Sequence, residues 1–290
     1  MKLVNDMNGV VIVDKPKGMT SRDVVNIVSK KYSTKKVGHT GTLDPIATGV
    51  LVLCIGKATK LVSRLTSLEK EYIATVILGE ETDTLDITGN IIDDKICIKT
   101  QKEIEEVLKS FIGSYNQEVP KYSAVKINGK KLYEYAREDK NVILPKRIVH
   151  IKSIELLGDV TYKNNKTIFS FKCVVSKGTY IRSLIRDIAQ RLNTVGIMSD
   201  LRRVKQGSFD IKNSIKLENL SNDDIISIRN ILNVKKVKLT SDIRKKILNG
   251  APVENIYNED EILFVDEDEI ALYKSKDNKL ISEIMFKGGN

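Results

Sequence analysis

The stretch Gly38-His39-Thr40-Gly41-Thr42-Leu43-Asp44-Pro45-Ile46-Ala47-Thr48-Gly49-Val50-Leu51 holds three glycines, one proline, one of the two histidines and a lone carboxylate. Glycine lets the backbone turn sharply and approach other groups closely. Proline biases the residue before it toward an extended conformation, so Asp44 is expected on a shaped loop. The apolar run Val50–Ile55 follows at once and reads as a buried strand. A carboxylate on a loop held by such a strand is placed for nucleophilic or proton-transfer work. The same residues also fit an ordinary Asp-Pro turn with a solvated carboxylate. From this stretch alone the two readings stand level.

A second informative stretch is Ser176-Lys177-Gly178-Thr179-Tyr180-Ile181-Arg182-Ser183-Leu184-Ile185-Arg186-Asp187-Ile188. A strand meets a glycine turn there and gives way to a helix with Leu184, Ile185 and Ile188 inward. Tyr180 and Arg182 lie at the junction. If the chain is still extended at that point, both side chains point the same way.

Composition narrows the function classes. Lys and Arg number 48 against 38 Asp and Glu in 290 residues, a net charge of +10. Such an excess suggests a polyanionic partner, nucleic acid first, although a lysine-rich composition could arise without one. Cys54, Cys97 and Cys173 are isolated, which supports neither a zinc ribbon nor a disulfide framework. His39 and His150 lie too far apart to suggest a histidine-rich metal site. The start MKLVNDMNGV lacks a signal-like apolar region, and no run approaches the ~20 residues that cross a bilayer. The expectation is a reduced, cytoplasmic protein without membrane contact.

The elements that must position these residues read as follows. Gly9–Asp14 is a short buried strand. Thr20 and Asp23 form a capping box for a helix with Val24, Val25, Ile27 and Val28 on its apolar side. Lys30, Lys31, Lys35 and Lys36 then fit either a solvated helix end or phosphate contacts. Lys57–Leu65 is expected to be helical. Glu71–Leu78 is a strand with Tyr72, Ala74, Val76 and Leu78 on one face. The loop Gly79–Gly89 carries Glu80, Glu81, Asp83 and Asp86 but lacks the ligand positions of an EF-hand. Thr100 and Glu103 cap a helix reaching about Phe111. Asn128-Gly129 marks a tight turn, and Lys130–Glu138 a short helix interleaving Lys, Arg and Tyr. Strands are expected over Val142–Leu157, Thr167–Ser176 and, after a turn, within Gly196–Phe209. The character changes near Asn230–Lys236. Beyond it come a helix over Leu239–Asn249, capped by Thr240 or Ser241 and ended by Gly250, and strands near Glu261–Val265, Ile270–Lys274 and Leu280–Phe286.

Taken together and in order, these motifs resemble the TruB family of tRNA pseudouridine synthases. Gly38–Leu51 is similar to the family's catalytic motif and Asp14–Ser21 (DKPKGMTS) to its N-terminal motif. Glu71–Gly89 resembles its stacking-tyrosine strand and following loop, Val119–Glu138 its RNA-gripping insertion, and Ser176–Ile188 its Tyr/Arg motif. The resemblance covers about residues 8–210, and the tail weakly resembles a PUA-like domain. It implies an α/β (α+β) fold: a mixed, largely antiparallel central sheet flanked by helices, with a small C-terminal β-rich domain. The implied division is a catalytic domain over 1–230, with the RNA-gripping insertion at about 119–150, and a PUA-like RNA-binding domain over 231–290.

The implied reaction is isomerisation of uridine to pseudouridine at position 55 in the T arm of tRNA, with no metal and no organic cofactor. The target base must leave its stack, at a cost of about a few kcal/mol, which phosphate contacts and stacking in the pocket can offset. By match to the motifs, Asp44 is the catalytic carboxylate and Arg182 the arginine that keeps it charged. Tyr72 stacks on the base, with Tyr180 beside it and Leu201 as an apolar wall. His39 supports the distorted T loop. Lys15 and Lys17 are weaker candidates for contact with RNA. Attack at C6, attack at C1′ and a glycal route all remain open. The expected partner is the tRNA T-arm stem-loop, bound by a monomer without an obligate protein partner. A tRNA-folding chaperone is the alternative or second activity. An aspartate-nucleophile hydrolase is disfavoured, because no second carboxylate stands at a fixed short spacing from Asp44 and no P-loop is present.

Overall fold

The computed structural model describes residues 7–138, 140 and 142–287. Residues 1–6, part of the stretch expected to carry no signal-like run, lie outside the described residues. In chain order come β1 (Gly9–Lys15), α1 (Ser21–Lys31), β2 (Val37–His39), β3 (Thr48–Ile55), α2 (Val62–Thr66) and β4 (Lys70–Leu78). The segment expected to be one helix over Lys57–Leu65 is instead a 3₁₀ stretch, Gly56–Leu61, running into α2. The short ladder β5 (Glu80–Thr82) with β6 (Ile91–Asp94) opens the acidic segment expected to be loop. Then follow α3 (Gln101–Lys109), β7 (Gly113–Glu118), β8 (Lys126–Ile127), β9 (Lys130–Lys131) and α4 (Leu132–Arg137).

The main frame is completed by β10 (Lys146–Lys163), β11 (Lys166–Val175), α5 (Ile181–Arg191), β12 (Gly196–Gln206), β13 (Phe209–Asp210), β14 (Ile226–Ser227) and α6 (Ile228–Ile231). The tail adds β15 (Lys235–Lys238), α7 (Ser241–Leu248), β16 (Val253–Glu254), β17 (Glu261–Val265), β18 (Glu269–Lys276) and β19 (Lys279–Met285).

Ten strands form one sheet, ordered β14-β1-β3-β12-β4-β11-β10-β7, with β2 on β3 and β13 on β12. Only the β3–β12 pairing is parallel in it, so the sheet is mixed and largely antiparallel. The tail forms a second sheet, β15-β17-β18-β19-β16. Both capping boxes are formed: Thr20 with Asp23 opens α1, and Thr100 with Glu103 opens α3. Asn128 and Gly129 take φ of 51° and 81°, as a two-residue turn of type I′ requires at both positions.

Two further expectations need correction. The strand expected over Val142–Leu157 begins at Lys146 and continues to Lys163, because the polar tip still pairs with β11 beyond a bulge between Leu157 and Thr161. Thr240 is the residue before α7, but its side chain accepts no capping bond.

Alternation along the strands divides the sheet into two faces. On one, Val11, Val13, Leu51, Leu53, Ala74, Val76, Phe169 and Phe171 meet Val24, Val25 and Val28 of α1 and Leu184, Ile185 and Ile188 of α5. On the other, Val10, Ile12, Val50 and Val52 meet Leu61, Leu65 and Ile228, and Leu263, Leu272 and Phe286 of the tail. Arg64 donates to both carboxylate oxygens of Glu261 at 2.7 and 2.6 Å, which ties the tail to α2. Cys54, Cys97 and Cys173 are free and buried, and burial pushes the Cys54 and Cys173 thiols up to about 12. Among the described residues no helix is long and apolar enough to cross a membrane.

Candidate active site

The loop between β2 and β3 is fastened from both sides. Ser21, the first residue of α1, accepts from the Leu43 amide at 2.9 Å and donates to the Leu43 carbonyl at 3.2 Å. The Gly18 amide donates to Pro45 O at 2.8 Å, and the Ala47 amide closes a turn on Asp44 O at 3.0 Å. Leu43, Ile46 and Ala47 are buried, so the apolar residues on each side of Asp44 anchor it. Gly49 ends the loop at φ 99°, where an added Cβ would stand 2.2 Å from Arg203 O. Only glycine lets β3 come this close to β12.

Lys15 takes part in this clamp and is fully buried. Its ammonium donates to Pro16 O at 2.9 Å and Met19 O at 2.6 Å, with Pro45 O at 3.5 Å. Burial lowers it to about 8, against an upward pull from Asp44. Lys15 therefore braces the loop from inside, with no surface of its own exposed. Lys17 is exposed and lies 3.5 Å from Asp200.

Asp44 meets Arg182 in a two-pronged contact: Nε to Oδ2 at 3.0 Å and Nη2 to Oδ1 at 3.3 Å. The arginine side chain is 7% exposed and the aspartate 36%, so a buried cation presents a carboxylate that solvent or a ligand can reach. Arg182 is fixed further by donating to Thr84 O at 2.8 Å and Tyr122 O at 3.0 Å, with Asp86 at 3.9 Å. Such a fork sets the carboxylate's orientation as well as its charge. Asp86 itself accepts from the Thr88 amide at 2.9 Å and the Thr84 hydroxyl at 2.9 Å, which folds the acidic segment around the arginine.

This pair opens into a cavity of about 730 Å³, and all six residues singled out in the sequence line it: His39, Asp44, Tyr72, Tyr180, Arg182 and Leu201. Tyr72 and Leu201 come from adjacent strands, β4 and β12, where Leu201 pairs with Ala74 and Tyr72 with Arg203. Both are over nine-tenths buried. Tyr180, extended at the start of α5, has both its backbone groups bonded to the Gln117 side chain, at 2.8 and 3.1 Å. Arg147 of β10 stands 5.4 Å over the Tyr180 ring. His39 is held below the ordinary histidine range by burial and by the Arg22 and Arg203 charges, which makes the neutral ring the resting form. From the other side, Tyr133, Lys131 and Arg137 of the β8–β9–α4 segment reach the cavity.

Sequence reading missed two cations here. Arg203, 1% exposed, donates to Val50 O at 2.6 Å and Gly41 O at 3.0 Å and touches the Tyr72 hydroxyl at 3.5 Å. Lys70, 6% exposed, lines the cavity from β4. The two-residue period was the available signal: Lys70 shares a face with Tyr72, and Arg203 with Leu201.

Residues 29–181 match the model described as TruB family pseudouridylate synthase (N terminal domain), and residues 182–232 match tRNA pseudouridylate synthase B C-terminal domain. The chain is 48% identical over 248 residues to the tRNA pseudouridine synthase B of Caldicellulosiruptor saccharolyticus, covering 85% of this chain and 84% of that one. It is 42% identical over 285 residues to the protein of that name from Oceanobacillus iheyensis, covering 93% of each. Among solved structures, a chain of a Cbf5-Nop10-Gar1 complex superposes with a TM-score of 0.70 at 25% identity, covering 99% of this chain and 88% of that one.

Proposed function

The chain belongs to the TruB family of pseudouridylate synthases, and from that premise we propose that its cavity receives one uridine everted from the tRNA T arm, at position 55. Uridine is isomerised there to pseudouridine, with Asp44 as the catalytic carboxylate. The carrying observation is the Asp44–Arg182 fork opening beside Tyr72 in one cavity.

The chemistry breaks the N1–C1′ bond, turns the base, joins C5 to C1′ and moves the C5 hydrogen to solvent while N1 gains one. Mass is unchanged. Asp44 needs its negative charge to act on the base or ribose, and Arg182 favours that charge from a buried position. Tyr72 offers a face for the everted pyrimidine, and Leu201, from the adjacent strand, excludes water beside it, which strengthens the charge interactions inside. Tyr180 closes the pocket at the start of α5. His39, neutral and at the entrance, packs against the RNA loop and does not act as a base. Lys131, Tyr133 and Arg137 supply phosphate and stacking contacts above the cavity. The five-stranded tail is read as a PUA-like module that extends the grip on RNA. One chain supplies every group named, so a cytoplasmic monomer acting on one tRNA suffices.

The test is tRNA carrying tritium at uridine C5. The expected result is one equivalent released per tRNA, with the pseudouridine mapped to position 55 by a chemical readout. No release, or release from scattered uridines, rejects the reading.

A further inference from the structure

Besides Arg182, the cavity that holds Asp44 is lined by Lys70 and Arg203, and among the described residues no carboxylate pairs with either. Lys70 stands two residues before Tyr72 on the same face of β4, roughly 7 Å along the strand. Its ammonium donates to Thr66 O at 2.5 Å and Leu68 O at 2.7 Å, which uses two of its three N–H bonds. Arg203 faces it from β12 and Lys177 from the turn before α5. The glycine loop brings Gly41 against its stem, and the end of α2 brings only carbonyls. The acids on either side of Lys70, Glu69 just before β4 and Glu71 within it, pair with Lys152 and Lys172. Among the described residues neither Lys70, Lys177 nor Arg203 takes part in an ion pair. Burial, with Arg203 and Lys177 adding to it, lowers the Lys70 ammonium to about 8. A desolvated cation kept among cations and lining a cavity favours an anionic ligand there.

We propose that Lys70, helped by Lys177, receives a backbone phosphate flanking the everted nucleotide and so fixes how the base sits over Tyr72. The spacing from Lys70 to Tyr72 along β4 is comparable to the reach from a stacked base to an adjoining phosphate. Arg203, whose guanidinium donates to Val50 O, Gly41 O and the Tyr72 hydroxyl, holds the wall and adds to its potential. The inference rests on the isomerase reading above and gives it a register device.

The experiment measures binding of a tRNA T-arm stem-loop to the full-length protein across salt and pH, with pseudouridine formation followed alongside. Lys70→Met is expected to weaken binding on the order of tenfold and to lower the slope of log affinity against log salt by about one. Wild-type affinity should fall as pH rises through about 8, because only the ammonium attracts phosphate, and Lys70→Met should lack that limb. A neutral methylphosphonate at one of the two flanking positions should weaken wild-type binding by a like factor and add nothing in Lys70→Met. That substrate-side change leaves the protein's folding untouched. If Lys70 merely braces α2, the variant loses melting temperature while the salt slope and pH limb persist, and the proposal falls. It also falls if methylphosphonates weaken both proteins equally. A wild-type protein that makes no pseudouridine would overturn the isomerase reading instead.

Discussion

Arg182 and Arg203 are both buried at the same cavity, and they do different work. Arg182 turns its guanidinium onto Asp44, with two backbone carbonyls holding it in place. Arg203 turns its guanidinium onto two backbone carbonyls and the Tyr72 hydroxyl. A buried cation facing a reachable carboxylate sets chemistry. Arg203, answered by carbonyls from β3 and the glycine loop, sets shape, because it draws separate segments of the chain to one point. The difference teaches that burial of an arginine does not by itself identify a functional group; what its five N–H donors meet does. Substitutions on the two walls should therefore separate turnover from stability.

The largest effect belongs to Asp44→Asn. The amide keeps the shape but carries no negative charge, so C5 hydrogen release should fall to background while stem-loop binding stays within a few-fold. Residual turnover above a tenth of wild type would remove Asp44 from the chemistry. Next comes Arg182→Met, which leaves Asp44 without its cation. Turnover at saturating RNA should fall roughly 10²–10³-fold, the usual scale for losing one preorganised charge partner. Equal losses of kcat and thermal stability would place Arg182 with Arg203 as a shaping group.

Arg203→Met should reverse the pattern. Val50 O and Gly41 O lose their donor inside the sheet, each at about 1–3 kcal/mol, so denaturation shifts clearly while the Asp44–Arg182 contact survives. Turnover should fall mainly through a raised KM, since the Tyr72 hydroxyl loses the donor that helps hold it. A stable Arg203→Met protein with collapsed kcat would break the comparison.

Much of this site could be read in the chain. Strict alternation over Tyr72, Ala74, Val76 and Leu78 matches the burial along β4, because one face of that strand is core and the other is not. Both capping boxes and the Asn128-Gly129 turn are local signals, settled within four residues. Asp44 stood out because the glycines around it had to serve a loop. Arg203 and Lys70 did not stand out. Their types read as surface, and the carbonyls that stabilise Arg203 come from Gly41 and Val50, far away in sequence and visible only once β3 and β12 pair in parallel. Lys15, a weaker candidate for RNA contact in the sequence, is turned inward by folding onto Pro16, Met19 and Pro45. The end of β10 was missed because its tip is exposed on both faces and pairs only with β11, so no hydrophobic period marks it.

The smallest effect tests whether the clamp behind Asp44 belongs with the shaping wall. Thr20 caps α1 by accepting from the Asp23 amide at 3.1 Å, and Asp23 accepts from the Thr20 amide at 2.9 Å. The next residue, Ser21, fastens Leu43. Thr20→Ala should cost about 1 kcal/mol of stability, the usual value for losing such a cap. It should also change the pH dependence in a definite direction. The Thr20 hydroxyl and amide hold the Asp23 carboxyl below its usual range. A folded-state pKa depressed in this way gives stability that is present above the unfolded pKa and is lost as pH falls through the folded one. Melting temperature followed from pH 6 down to pH 3 should therefore drop less steeply in Thr20→Ala than in wild type, and the two curves should converge in acid. Turnover at neutral pH should change less than twofold, because Ser21 keeps its two bonds to Leu43 even when the helix start frays. A tenfold loss of kcat without a matching loss of stability would move this clamp to the Arg182 side of the comparison, as a group that aims the carboxylate.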